Sequence, residues 1–110
     1  MKTKLSGKTP DRFRVLNAFV DFTASELRRS ELLVWMTLYR DTRDQVASTA
    51  QRDIARRCSV SRKTVERSVK SLVERGLLRV VRQGGFRKGS SSYQVIPLSR
   101  ERYEELQRPK

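Results

Sequence analysis

The residues with the most chemistry to offer are cations at helical spacing. In the run Ser61-Arg-Lys-Thr-Val-Glu-Arg-Ser-Val-Lys-Ser-Leu72, the cations Arg62, Lys63, Arg67 and Lys70 are interleaved with Val65, Val69 and Leu72. An arginine fork matches the two acceptors of a guanine edge, and lysine serves the same edge or a phosphate as a point charge. At about 100° per residue, a helix over 61–75 turns Val65, Val69, Leu72 and Val73 to one side. Lys63, Arg67, Lys70, Ser71 and Glu74 then project to the other, with Thr64 on a flank. Residues 52–88 hold twelve of the 25 Lys/Arg and three of the 12 Asp/Glu, so +9 of the formal +13 sits in about one third of the chain. The DNA duplex, with one charge per ~1.7 Å of axis, strongly attracts such a patch, and its major groove admits a helix of this size. Charge that served solubility alone would not be clustered. A solvated face with Glu66 paired to Arg62 or Lys70 is the bland alternative. Such pairs contribute only ~0.2–0.5 kcal/mol each and do not require this charge density.

The element before this helix must position it. Ser48 and Gln51 have capping-box spacing, which predicts a short helix from about Thr49 to Arg57 with Ile54 and Ala55 facing inward. Ser48, Thr49 and Gln51 stand at its start, where unpaired backbone N–H groups can hold a phosphate; simple capping is the alternative. Arg52 and Arg56 are candidates for further phosphate contacts. Cys58-Ser-Val is the turn, and Ser61 caps the next helix. A left-handed Ser59 would cost on the order of 1 kcal/mol, so the turn is expected to depart slightly from the glycine-containing form. Cys58 is read as a small buried apolar residue rather than a redox switch. Gly76 closes the basic helix at a position that favours a left-handed residue.

Thr9 and Pro10 open a first helix whose apolar face is Phe13, Leu16, Phe19 and Val20, either core or a dimer contact. A second, strongly apolar helix carries Leu27, Leu32, Val34, Trp35, Leu38 and Tyr39 to about Arg40. It starts either at the Thr23–Glu26 capping box or nearer Arg28, and Asp41-Thr-Arg-Asp breaks it. Gln45-Val-Ala-Ser is long enough only to add to a sheet edge. Leu77–Arg82 and Ser92–Ile96 are extended runs flanking a glycine-rich loop, hence a β-hairpin. Gly84, Gly85 and Gly89 permit a tight tip, and Arg87 and Lys88 there could reach a minor groove or flanking phosphates. Without a Gly-Lys-Ser/Thr ending or a following helix, this is not a nucleotide-binding loop. Phe86 either docks on the domain or sits exposed. Residues 1–8 read as a flexible basic tail, and Ser99 caps a last helix through Gln107 with Tyr103 and Leu106 on its apolar stripe.

The fold class is therefore mainly α with a small β-hairpin, an α+β arrangement. From residue 23 through the hairpin the order resembles the winged helix-turn-helix family. The match rests most specifically on Gln51-x-x-x-Ala55, on Val60-Ser-Arg-Lys-Thr-Val65-x-Arg67, and on Gly76-Leu-Leu before the wing. More narrowly it resembles small prokaryotic proteins of plasmid replication and gene regulation. The resemblance implies a three-helix core plus wing over 9–98, with extra N- and C-terminal helices, the latter over 99–110. It implies that the N-terminal half of helix 61–75 reads bases through Arg62, Lys63, Thr64 and Arg67, with Lys70 on phosphate. Terminal helices commonly make the dimer in such relatives, and two-fold symmetry implies a palindromic operator.

Other classes fit less well. One cysteine and no histidine exclude an intramolecular disulfide and a conventional zinc site, and no cofactor is expected. No apolar run reaches 18 residues and the N-terminus lacks a secretory core, so a cytoplasmic, nucleoid-associated protein is expected. An enzyme would need a nucleophile–base pair or a metal cluster, and neither is legible. An RNA or single-strand binder would stack bases on exposed aromatics, for which the basic region offers only Phe86 and Tyr93. A protein-interaction module on the same scaffold would predict weak salt dependence. The leading expectation is a non-catalytic, sequence-specific binder of double-stranded DNA, acting in transcription or in plasmid replication and partition.

Overall fold

Between Thr9 and Val95, helices and three short strands of the described residues follow one another around an aromatic stack. The computed structural model describes residues 9–82, 91–98, 104–105 and 107. Helix α1 spans Thr9–Phe22 and a turn of 3-10 helix spans Ala24–Glu26. Helix α2 (Arg29–Asp41), strand β1 (Ala47–Ser48), helix α3 (Gln51–Cys58), helix α4 (Arg62–Glu74) and strands β2 (Leu78–Arg82) and β3 (Ser92–Val95) complete the order.

Of the four apolar residues on α1, Phe19 is fully buried and Leu16 packs at the core edge, while Phe13 and Val20 are each 61% exposed. Phe19 stacks on Trp35 with centroids 3.6 Å apart, and Trp35 stacks in turn on Tyr39 at 5.2 Å. Arg12 lies over the Tyr39 ring and donates at 2.8 Å to the Tyr39 carbonyl, which also accepts the Thr42 N–H at the end of α2. Trp35 Nε1–H donates to the Ile96 carbonyl at 3.0 Å, so the buried indole has its required partner.

Of the two starts open to the apolar helix, α2 takes the one near Arg28. Thr23 makes no cap bond; it is buried and its hydroxyl donates to the Pro97 carbonyl at 2.6 Å. Glu31 instead reaches back to accept from the Arg28 N–H at 2.9 Å. Asp44 and Gln45 both adopt positive φ, forming a two-residue turn that brings Arg43 and Val46 together and leads into β1. β1 does add to a sheet edge. The order is β1-β3-β2, all antiparallel, with Ala47 opposite Tyr93 and Val80 opposite Tyr93 on the other side. A bulge falls between Val80 and Arg82.

The Ser48–Gln51 capping box does not form, and α3 begins at Gln51 rather than near Thr49. Its N-cap is Ala50, extended and without a side-chain cap. Ser48 is held in β1, where its hydroxyl shares a 2.7 Å hydrogen bond with Ser92. The α3–α4 turn also differs from expectation. Ser59 does adopt the left-handed conformation, at φ 57 and ψ 45. Its N–H donates to the Arg56 carbonyl and the Val60 N–H to the Ala55 carbonyl, the two bonds of a Schellman motif. Two recovered carbonyls and the packing of Val60 against the core offset the local strain. Gly76 takes the left-handed position after α4, at φ 81.

The core joins Val34, Trp35 and Leu38 of α2 to Ile54 and Ala55 of α3, Val65, Val69 and Leu72 of α4, and Leu77, Leu78 and Tyr93 beside them. Val73 is only partly buried. The expected tail over 1–8, the wing tip with Phe86, Arg87 and Lys88, and the C-terminal Tyr103 and Leu106 lie outside the described residues. Glu104, Glu105 and Gln107 are helical and exposed.

A strained but correctly seated Ser59 gives a testable stability effect. Ser59→Gly should stabilise the fold by about 0.5–1 kcal/mol, since relief of a ~1–2 kcal/mol left-handed penalty exceeds the added glycine entropy. Urea unfolding midpoints measure it, and an unchanged or lower midpoint would show that the turn carries no strain.

Candidate nucleic-acid interface

Local capping and burial together aim α4. Ser61 sits in extended backbone and its Oγ accepts from the Thr64 N–H at 3.0 Å; the same hydroxyl donates to Thr64 Oγ1. One turn on, Val65 is fully buried, and Val69 and Leu72 follow it into the core. Ser68, buried beside them, donates to Ser30 Oγ on α2 at 3.2 Å. With that side fixed, Arg62, Lys63, Glu66, Arg67 and Lys70 are all exposed, and Thr64 is half-buried on the flank. Among the described residues no ion pair involves Arg62, Lys63, Arg67 or Lys70, so Glu66 pairs with neither of the candidates at i,i+4. The helix thus presents unneutralised donors along one outward face.

The start of α3 contributes differently. Ser48 is exposed, Gln51 half-buried and Arg52 exposed. Thr49 is turned inward, 6% exposed, and its hydroxyl donates to Asp41 Oδ2 at 2.8 Å, so its side chain is not offered to an outside ligand. With alanine at the N-cap, no side chain satisfies the first N–H groups of α3; the Asp53 N–H donates to the Ala50 carbonyl at 3.0 Å, and those of Gln51 and Arg52 remain for an anion. An open groove of about 670 Å³ lies here, lined by Arg43, Ser48, Ala50, Asp53, Arg56 and Arg57 together with Asp41 and Thr49.

Arg43 is a cation the sequence reading passed over, because it belongs to the loop after α2 and has no helical periodicity to mark it. The Asp41–Arg57 contact is also new. Arg57 donates to both Asp41 oxygens, through Nη1 at 3.1 Å and through Nη2, and its Nη2 also lies 3.1 Å from Asp53 Oδ2. Arg56 pairs with Asp53 as well. The two arginines at the end of α3 therefore face two carboxylates, while those of α4 face solvent. The Arg57 hydrogen bond, helped by Thr49, holds the Asp41 carboxyl below its ordinary value of 3.8 against the opposing effect of burial. Asp41 in turn raises the Arg57 pKa.

Nothing in this arrangement supplies a nucleophile with its base. Among the described residues no group of acidic, cysteine or histidine side chains could hold a metal ion. Among the same residues no helix is long and apolar enough to cross a membrane. The chemistry on offer is donation of N–H bonds and positive charge to a polyanion.

Comparison with known proteins agrees with the fold. Residues 25–78 match the model of a helix-turn-helix domain. A MarR-family transcriptional regulator from Silicibacter pomeroyi has a similar fold, with a TM-score of 0.53 at 19% identity over 94% of this chain and 69% of that one. A MarR-family regulator from Neisseria meningitidis aligns with a TM-score of 0.49 at 19% identity, over 76% of this chain. The chain spans about half, 53%, of the length of that Neisseria protein. No curated protein matches the chain.

The carboxylate cluster predicts acid sensitivity with a definite sign. A depressed Asp41 pKa contributes stability that is complete above the ordinary value of 3.8 and lost as pH falls through the depressed one. Asp41→Asn should therefore be destabilising at neutral pH, with the gap from wild type closing as pH drops below about 4. Urea midpoints of both proteins from pH 7 to pH 3 test this. A gap that stays constant across the range would remove Asp41 ionisation from the stability of the fold.

Proposed function

We propose that this chain, which belongs to the winged helix-turn-helix DNA-binding family, is a sequence-specific binder of double-stranded DNA that acts as a transcription regulator. The observation that carries the reading is the outward face of α4, where Arg62, Lys63, Arg67 and Lys70 are exposed without an ion-pair partner among the described residues. A helix pinned by Val65, Val69 and Leu72 lays that face in a major groove. Arg62, Lys63, Thr64 and Arg67, nearest the capped end, meet base edges, and Lys70 meets phosphate. Ser61 keeps its capping role. Ser48, Gln51, Arg52 and Arg43 surround the open N–H groups of α3 and take the phosphates of one flanking strand. Arg87 and Lys88 of the wing are assigned the minor groove or the phosphates beyond it.

A regulatory role without catalysis is the reading we favour over replication or partition. It draws on the MarR-family regulator from Silicibacter pomeroyi, whose fold this chain resembles. Single-strand binding is disfavoured by Tyr93, which is 2% exposed and has no face left for stacking a base. The exposed Phe13 and Val20 on α1 suit a homodimer contact, and with it a palindromic operator.

Selection of duplexes from a random pool, followed by titration against salt, tests the proposal. Affinity should fall steeply, with a slope in log–log form of about −0.9 per phosphate neutralised. A flat response would refute duplex binding. Arg67→Ala should reduce discrimination between selected and scrambled duplexes by about 1–3 kcal/mol. Equal weakening on all duplexes would instead confine Arg67 to phosphate.

A further inference from the structure

One carboxylate holds both ends of α3. Thr49, two residues before the helix, donates to Asp41 Oδ2 at 2.8 Å, and Arg57, its penultimate residue, donates to Asp41 Oδ1 at 3.1 Å and again to Oδ2. Asp41 is the last residue of α2, so its own position is fixed by the core. Its side chain is 19% exposed and that of Arg57 27%. Arg57 is also held by Asp53 at 3.1 Å. A slide of α3 along its axis would lengthen one of the two Asp41 ties as it shortened the other. The Schellman turn at Ser59–Val60 passes that constraint directly to the start of α4.

We propose that Asp41 is a positioning residue for recognition: it sets the seating of α3 and α4 and withholds Arg57 from the phosphate backbone, trading non-specific affinity for discrimination. The inference rests on the duplex-binding reading above. Arg57 lines the same groove as Ser48 and Arg43, so a released guanidinium lies where phosphate is expected. Phosphate contacts are blind to sequence, whereas base contacts depend on the angle at which a helix enters the groove. Removing the Asp41 charge therefore leaves Arg57 paired only with the more exposed Asp53, where phosphate competes for it, and adds positive charge to the sequence-independent part of binding. It also loosens the part that reads sequence.

Asp41→Asn keeps the shape of the side chain and an acceptor for Thr49 but loses the charge. Its affinities for a duplex selected by the wild-type protein and for a scrambled duplex of equal length should be measured across a salt series. The expected result is a roughly tenfold fall in the selected-to-scrambled ratio, about the worth of one mismatched base pair, through tighter scrambled binding and weaker selected binding. The salt slope should steepen, by at most the ~0.9 of one further phosphate neutralised, since Asp53 still competes for Arg57. Arg57→Gln is the companion variant, which also carries the test if the first variant does not fold. It should lose a similar part of the ratio with no steepening, since the cation itself is gone. A plain loss of stability would lower the folded fraction equally for both duplexes and leave ratio and slope unchanged. Wild-type discrimination that both variants retain, with an unchanged slope, overturns the role of Asp41 and leaves duplex binding intact. Wild-type protein that binds neither duplex, or binds both equally, overturns the reading of α4 and this inference with it.

Discussion

An indole cannot be buried dry without an acceptor for its N–H, and this requirement on Trp35 organises much of the molecule. The acceptor is the carbonyl of Ile96, just past β3, and the neighbouring Pro97 carbonyl takes the hydroxyl of Thr23. Two buried donors from the α1–α2 region thus grip the chain where it leaves the sheet. β3 is central in the sheet, so anchoring its exit fixes β2 and the direction of the hairpin as well. Phe19 and Tyr39 stack on the two sides of this arrangement and attach α1 to the same point. The strands β2 and β3 and the helical core consequently share one anchor.

Charge is distributed by the same logic of what is held and what is free. α3 ends in Arg56, answered by Asp53, and Arg57, answered by Asp41 and Asp53. α4 carries four cations, Arg62, Lys63, Arg67 and Lys70, with Glu66 and Glu74 as its acids. Exposed ion pairs contribute little to stability, so leaving the α4 cations unpaired costs the fold little. What it creates is a local excess of positive potential on one rigid element. A polyanion gains from that excess through counterion release. Formal charge summed along the sequence therefore overstates the role of α3 and understates the contrast between the two helices.

The sequence made the second half of the site legible and obscured the first half. Ser61, the Val65–Val69–Leu72 stripe and Gly76 are local signals, each settled by residues within one or two turns, and each stands where its pattern put it. The capping boxes Thr23–Glu26 and Ser48–Gln51 have equally good spacing and both fail. In each, the hydroxyl finds a tertiary partner, Pro97 O for Thr23 and Ser92 Oγ for Ser48, and that partner is remote in sequence. A hydroxyl paired in the interior cannot also cap a helix. Thr49 and Arg57 meet at Asp41 for a similar reason. Nothing within a helical turn of Asp41 reveals that α3 folds back over the end of α2. Arg43 escaped because its position depends on a turn at Asp44–Gln45 in which neither residue is glycine.

α3 is the least self-sufficient element of the fold, and that weakness bears on its use. It has eight residues, below the length at which isolated helices hold together in water. It lacks a side-chain cap at Ala50, and its C-terminal turn places a serine where glycine is easiest. Burial of Ile54 and Ala55 and the two ties to Asp41 supply what local sequence does not. A capping serine or aspartate at position 50 would occupy the N–H groups of the first turn, and aspartate would repel phosphate as well. Alanine leaves the N–H groups of Gln51 and Arg52 open, with that of Asp53 donating to the Ala50 carbonyl, at the cost of the ~1 kcal/mol that a good cap contributes. A helix stabilised from its flanks rather than from its own ends can keep its N-terminus free for an anion. The tertiary ties at Asp41 are what make that arrangement stable.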